Sequence, residues 1–344
     1  MTIKILVGEA IEYDKKEVLE KMAIHIFSVS KTNYQICTQR GLVAIPEAKD
    51  GRSHDNISDG LISRLAAVKE NDYILMYILG EKELRGVWQA EGDPFFDETP
   101  VWTDRTYPFR CKIKCTSYFF DNPLLLDDIN DLRNLGKIWT WALKRPTGAN
   151  AMFSISNNEF QILLLEFMKK NPFSLKKAII PAPYPYHEAN LIDYLHISDN
   201  TPKYEFTIMA MLNQAFSRGD FSELFGNYTD CLCYVPTGLE KEMDFLLLYA
   251  SPIDNKVIVS YDIIEVKRNE FDLEALKQLI GYESWFLQKK VAGDINMVRT
   301  TAIAKSYTPE VLDYVEKRRV IENKPIKLLT YSCVDRSLLL VSSN

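Results

Sequence analysis

No run of this 344-residue chain is apolar for long, and basic residues are not in excess. Each absence narrows the classes of function open to it. A helix that crosses a bilayer needs roughly 20 consecutive apolar residues, and the apolar runs here are far too short, so no membrane span is expected. Lys and Arg number 41 against 47 Asp and Glu, a net charge of -6. That balance counts mildly against nucleic acid, because phosphate binding asks for a basic surface. Local cationic patches remain at Lys112 and Lys114, Lys267 and Arg268, Lys289 and Lys290, and 317–319 (KRR). Cysteines 37, 111, 115, 231, 233 and 333 follow no zinc spacing and read as free thiols. Four histidines form no ligand pair, and His25, inside an apolar strand, reads as a satisfied core residue. No charged-then-apolar leader opens the chain, so a cytoplasmic location is expected. A hydrophobic content of 47% is enough for two cores.

What the chain does have is a concentration of chemistry near its C-terminus. Residues 242–249 (EMDFLLLY) read as a strand, 251–256 (SPIDNK) as a turn, and 257–267 (VIVSYDIIEVK) as a second strand rich in β-branched residues. The resulting hairpin brings Asp244 near Glu265. Along the second strand Glu265 and Lys267 share one face while Ile264 and Val266 share the other. Two carboxylates can hold a hard divalent cation, and an adjacent lysine can orient water and offset phosphate charge. Asp262 is a rival first ligand, but strand parity puts it on the face opposite Glu265. Residues 271–287 (FDLEALKQLIGYESWFL) have helical spacing, with Gln278 and Tyr282 four apart on one face and Leu276, Leu279 and Ile280 in the buried stripe.

At these residues the chain resembles the PD-(D/E)xK nuclease superfamily, in the branch with a QxxxY helix. The matching pieces are Asp244, the Glu265-Val266-Lys267 tripeptide with Arg268 after it, and Gln278 to Tyr282, within roughly 200–335. The resemblance implies Mg2+ or Mn2+ on Asp244, Glu265 and the Val266 carbonyl, and Lys267 positioning or helping to deprotonate a water. Gln278 and Tyr282 would tune the site or touch the DNA backbone. An added acidic residue on a preceding helix is implied too, with Glu205 the natural candidate and Asp220 and Glu223 behind it.

The N-terminal third carries a different pattern. Residues 24–46 read as a β-rich stretch containing Ser28, Ser30 and Asn33; 72–79 (DYILMYIL) reads as a buried strand; and Trp88, Phe95, Phe96, Trp102, Tyr107 and Phe109 cluster in 86–110. Such aromatics fill a small barrel or line a slot for a flat base. The FSVS-plus-Asn33-Tyr34 opening and the block from Asp97 to Arg110 resemble the EVE domain of the PUA-like superfamily, related to YTH and SRA domains. That resemblance implies capture of an extruded, often modified, base. Ser28, Ser30, Asn33, Trp88 and Trp102 would form the pocket, Trp88 and Trp102 as exposed stacking platforms, with Arg105 meeting phosphate or fixing the loop and Arg110 structural.

Between these parts, 123–141 and 156–170 have helical periodicity, and Ser156 with Glu159 makes a capping box. The run 179–187 (IIPAPYPYH) reads as a stiff linker. The fold expected is a two-domain α/β and α+β chain: an extension (1–22), a PUA-like β-barrel with C-terminal helices (23–175), a linker (176–200) and a restriction-endonuclease-like α/β/α core (201–344). The function expected is a modification-dependent endonuclease on double-stranded DNA, a homodimer where both strands are cut. A repair nuclease, an RNA substrate and a binding module with a silent nuclease fold are the alternatives.

Overall fold

The computed structural model describes residues 22–47, 54–116, 120–141, 151–172, 182, 185–238, 241–254 and 256–343. The extension expected at 1–22, all but its last residue, and most of the 179–187 linker lie outside these residues. The first half runs β1 (Ile24–Val29), α1 (Lys31–Arg40), β2 (Leu42–Ile45), α2 (His54–Leu65), β3 (Tyr73–Ile78), β4 (Glu83–Ala90), β5 (Phe95–Phe96) and β6 (Phe109–Cys115). It continues with β7 (Leu124–Leu125), α3 (Leu126–Asn134), β8 (Met152–Ile155), α4 (Asn157–Lys170) and β9 (Ala189–Asn190). The sheet order is β8-β1-β3-β4-β6-β5-β9, with β2 on β6 and β7 on β4. Among the described residues this path does not close, so the fold is mixed α/β with an open sheet where a barrel is expected.

Local chemistry explains where the helices differ from expectation. Residues 31–40 form α1 although the stretch reads as β-rich, because the ends of the segment fix it. Ser30 accepts from the Asn33 N–H at 3.1 Å, and Gly41, at φ 63°, closes the other end in the left-handed region that glycine reaches without strain. Only Leu126–Asn134 of the 123–141 stretch is helical, since Leu124 and Leu125 are drawn into pairing with β4. The Ser156–Glu159 capping box starts α4 as expected. His25 is buried and satisfied, with Asp72 at 3.0 Å and Ser154 at 2.9 Å from its two ring nitrogens.

The second half runs β10 (Ile197–Ser198), β11 (Thr201–Pro202), α5 (Glu205–Arg218), α6 (Ser222–Phe225), β12 (Asp230–Pro236), β13 (Glu242–Ala250) and β14 (Ile258–Val266). Then come β15 (Glu270–Phe271), α7 (Leu273–Lys289), β16 (Val298–Ala304), β17 (Ser306–Tyr307), α8 (Pro309–Glu322), β18 (Ile326–Val334) and β19 (Ser337–Ser342). Six strands lie in the order β12-β13-β14-β16-β18-β19, with β14, β16 and β18 parallel and hairpins at both edges. One face carries Leu246, Ile263, Ala302 and Leu328 against Leu276, Leu279 and Phe286 of α7 and Val311 and Val315 of α8. The other carries Phe245, Leu247, Ile264 and Leu329 in a core that holds Ile208, Leu212 and Phe216 of α5. The layers are therefore α/β/α.

That second core does not stop at α5. Ile62 and Leu65 of α2 belong to it, so the two halves are joined by shared apolar burial, worth ~1.5–3 kcal/mol for each fully buried Leu or Ile. Polar contacts fix the register of this junction. Buried Asp59 accepts from Thr207 Oγ1 and lies 2.6 Å from His196 Nδ1, while Ser63 meets the Tyr234 hydroxyl at 2.6 Å and the Asn213 amide through its carbonyl at 2.9 Å.

Candidate active site

Parallel sheets present their chemistry beyond the carboxyl ends of their strands, and β14 and β16 end together. Antiparallel pairing of Phe245 with Ile264 sets Asp244 opposite Glu265. Both follow the parity of Leu246, Leu248 and Ile263, on the α7 side. Asp262 follows the parity of Ile264 and Val266 and points the other way, where Thr301 Oγ1 donates to it at 2.9 Å. Asp262 is thus separated from this cluster, as its position in the strand anticipates.

Four charged groups meet at this end. Asp244 Oδ2 accepts the Val266 backbone N–H at 2.8 Å. Lys267 Nζ donates to Glu265 Oε1 at 2.6 Å and to the Val266 carbonyl at 3.1 Å, and lies 3.6 Å from Glu205 Oε1 at the first turn of α5. Glu205 therefore joins the cluster, whereas no contact among the described residues connects Asp220 or Glu223 to it. Burial, then the neighbouring charge of Glu265, holds the Asp244 carboxyl well above the usual carboxylate range. Burial likewise pushes Glu265 up to about 7, against the pull of Lys267. Burial works against the Lys267 charge, but Glu265, Asp244 and Glu205 together outweigh it and raise its pKa.

Glu265 is fully buried, yet its Oε2 has no hydrogen-bond partner. An unsatisfied carboxylate oxygen in the interior is costly unless it is protonated or meets a cation. Asp244, Glu265 and the Val266 carbonyl are an all-oxygen donor set of the kind a hard divalent ion takes. Among the described residues no three His, Cys, Asp or Glu side chains gather closely enough to hold a metal by themselves. An ion here would complete its shell with water or substrate oxygen, as Mg2+ commonly does.

Gln278 and Tyr282 bond to each other and, through Tyr282, to the strand that bears Asp244. Tyr282 is buried; its hydroxyl donates to the Glu242 carbonyl at 2.8 Å and accepts from Gln278 Nε2 at 2.8 Å. The pair ties α7 to the start of β13, two residues before Asp244. The KRR run is also partly structural: Arg318 is buried and reaches Glu283 at 2.6 Å, and Lys324 reaches the same carboxylate at 2.6 Å. This link between α7 and α8 leaves no periodic signature in the sequence.

In the first half, several of the proposed base-pocket residues converge, but their exposure is not as expected. Asn33 Nδ2 donates to the Tyr107 hydroxyl at 2.6 Å, Arg105 Nε to the same oxygen at 3.3 Å, and Trp102 lies 4.9 Å from the Tyr107 ring. Ser30 caps α1, and the Ser28 hydroxyl is buried without a partner. Trp88 and Trp102 are only 1% and 7% exposed. Neither presents a free face, so their reading as exposed stacking platforms is corrected: both belong to the core. Trp88 meets the edge of Tyr34 at 6.0 Å, and Trp102 lies under the Arg110 guanidinium at 5.4 Å. Arg110 is structural as expected, buried against Asp97 at 3.0 Å.

No family model and no curated protein matches the chain. Solved structures similar to parts of it include EndoMS bound to double-stranded DNA, at 21% identity over 28% of this chain and 34% of that one, with a TM-score of 0.21. A repair endonuclease from Pyrococcus abyssi is 18% identical over 34% of this chain and 46% of that one, TM-score 0.25. Human THYN1 in complex with 5-methylcytosine-containing DNA is 8% identical over 42% of this chain and 97% of that one, TM-score 0.29. The chain thus spans about a third of EndoMS.

Proposed function

We propose that the chain is a metal-dependent DNA endonuclease whose N-terminal half selects a modified base. The observation that carries the nuclease reading is the gathering of Asp244, Glu265, Lys267 and Glu205 at one end of a parallel sheet, with a buried carboxylate oxygen left unsatisfied. Asp244, Glu265 and the Val266 carbonyl would hold Mg2+ or Mn2+. When bound, such an ion lowers the pKa of water and offsets charge on a phosphodiester.

The chain's own groups have definite parts. Lys267, which donates to Glu265 and lies beside Glu205, would orient a water or meet a phosphate oxygen. Glu205, partly exposed, holds the ammonium from the solvent side. Gln278 and Tyr282 position the strand that bears Asp244. The modified-base reading is supported by the FSVS and Asp97–Arg110 resemblances and by the meeting of Asn33, Trp102 and Arg105 around Tyr107.

The test is cleavage of matched duplexes bearing cytosine, 5-methylcytosine, 5-hydroxymethylcytosine, N6-methyladenine or a mismatch, with Mg2+ or Mn2+ and with EDTA. Cutting confined to one modified duplex is expected, abolished by EDTA. Asp244→Asn and Lys267→Ala should each lower the rate on the order of 10³-fold with duplex binding retained. Mismatch-selective cutting would move the protein to repair, and unchanged cleavage in either variant would sink the site assignment.

A further inference from the structure

The residues just past the catalytic strand ends form a second feature. β14 and β16 run parallel to their last paired positions, Val266 with Ile303, and β16 and β18 to Ala304 with Thr330. Just beyond these pairings come Arg268 and Lys305, past the ends of β14 and β16, and beside them Tyr331 of β18. They line a cavity of about 160 Å3 together with Asn200, Asn269 and Ser332. No acidic side chain lines it, although the chain as a whole is acidic. Its lining carries two cations, two amides and three hydroxyl residues, Thr201, Tyr331 and Ser332.

The ion-pairing state of those cations matters. Arg268 spends part of its guanidinium on the Lys203 carbonyl and on Asn269 Oδ1 at 3.3 Å, which fixes its plane without neutralising it. Lys305 is exposed, and among the described residues no hydrogen bond or ion pair engages its ammonium. Tyr331 connects the cavity to the catalytic cluster: its hydroxyl donates to the Arg268 carbonyl, and both Arg268 and Glu205 act on it electrostatically. A fixed guanidinium beside a free ammonium, with amide and hydroxyl donors, matches the oxygens of a phosphate.

We propose that this cavity grips a backbone phosphate of the nucleic acid next to the scissile one, with Arg268 and Lys305 as its two charged contacts. This rests on the nuclease reading and locates the strand that the catalytic carboxylates would act on. The phosphate is engaged in the ground state as well as during cutting, so the contact sets affinity and register and leaves the chemical step alone.

The experiment uses the full chain carrying Asp244→Asn, so that binding is read without cleavage, and a fluorescein-labelled 20-base-pair duplex titrated between 50 and 200 mM NaCl. Adding Arg268→Ala and Lys305→Ala should weaken binding at least tenfold and reduce the slope of log K against log salt by about 1, the value for one lost phosphate contact. Removing two remote exposed charges, Lys137→Ala and Lys317→Ala, should change neither. Lys305→Glu alone, which disturbs no hydrogen bond, should reproduce most of the loss if the Arg268 variant folds poorly. Affinity and salt slope equal to those of the remote-charge variant, or no duplex binding by the parent, would overturn the proposal. Failure of the nuclease reading shows separately, as absent metal-dependent cleavage by the unmodified chain.

Discussion

Asp262 and Glu265 stand three residues apart on one strand, and both are carboxyls whose charge the interior resists. Burial raises Asp262 to about 6 and Glu265 to about 7. The folded chain therefore holds protons that the unfolded chain has already released, and each group's contribution to stability falls as pH rises from its unfolded value through these figures. Asp262 gives the clean test, because it lies away from the candidate metal donors and its Thr301 partner can equally donate to an amide oxygen. Asp262→Asn is expected to raise the stability of the metal-free protein on the order of 1–3 kcal/mol at pH 8, and to leave it near the parent value at pH 4, as read by thermal unfolding in EDTA at both pH values. A variant less stable at pH 8 would contradict the sign. Tyr282 gives a second test at this scale. Tyr282→Phe strips the Glu242 carbonyl of its donor and should cost about 1 kcal/mol of stability. It should lower kcat about tenfold at unchanged KM, since Asp244 stays present but less firmly placed.

Among the elements, Glu159 serves two at once. It closes the capping box of α4, and the same carboxylate accepts the N–H groups of Trp139 at 2.6 Å and Thr140 at 2.9 Å, together with the Thr140 hydroxyl. It therefore binds the segment after α3 to the start of α4. Glu159→Ala should cost on the order of 2–4 kcal/mol, well above the ~1 kcal/mol of a lost cap, because buried N–H groups are left unpaired; chemical denaturation reads the difference. The sequence reveals the capping box but not the second use, which joins residues twenty apart. The same contrast runs through the fold. β13, β14 and α7 were legible because each alternates or repeats with the period of its element, and parity alone separated Asp244 and Glu265 from Asp262. α1 was not legible, since KTNYQICTQR is polar on nearly every side and its helix is decided by Ser30 and Gly41. For Trp88 and Trp102, residue type indicated aromatic surface, while burial depended on contacts with Tyr34, Tyr107 and Arg110 from other segments.

For the whole molecule, the decisive feature is the contact of α2 with α5. Ile62 and Leu65 share a core with Ile208, Leu212 and Phe216, and Asp59 bonds across it to Thr207 and His196. Such an interface couples the unfolding of the halves, so one calorimetric transition is expected. Asp59→Ala, which leaves the Thr207 hydroxyl and the His196 ring without their partner, should split that transition in two or lower its midpoint by several degrees. Retention of a single unshifted transition would show that apolar contact alone holds the halves together. Parity and motif order located the site within the second half, but no periodicity in the sequence announces this junction, because its residues lie about 150 positions apart.

The junction also has a metric meaning. If one half holds a chosen base while the other cuts, a common core between them makes the protein a ruler of fixed length. Scission mapped at nucleotide resolution should then fall at a single offset from the modified base, and loosening Asp59 should blur that offset into a ladder of neighbouring cuts.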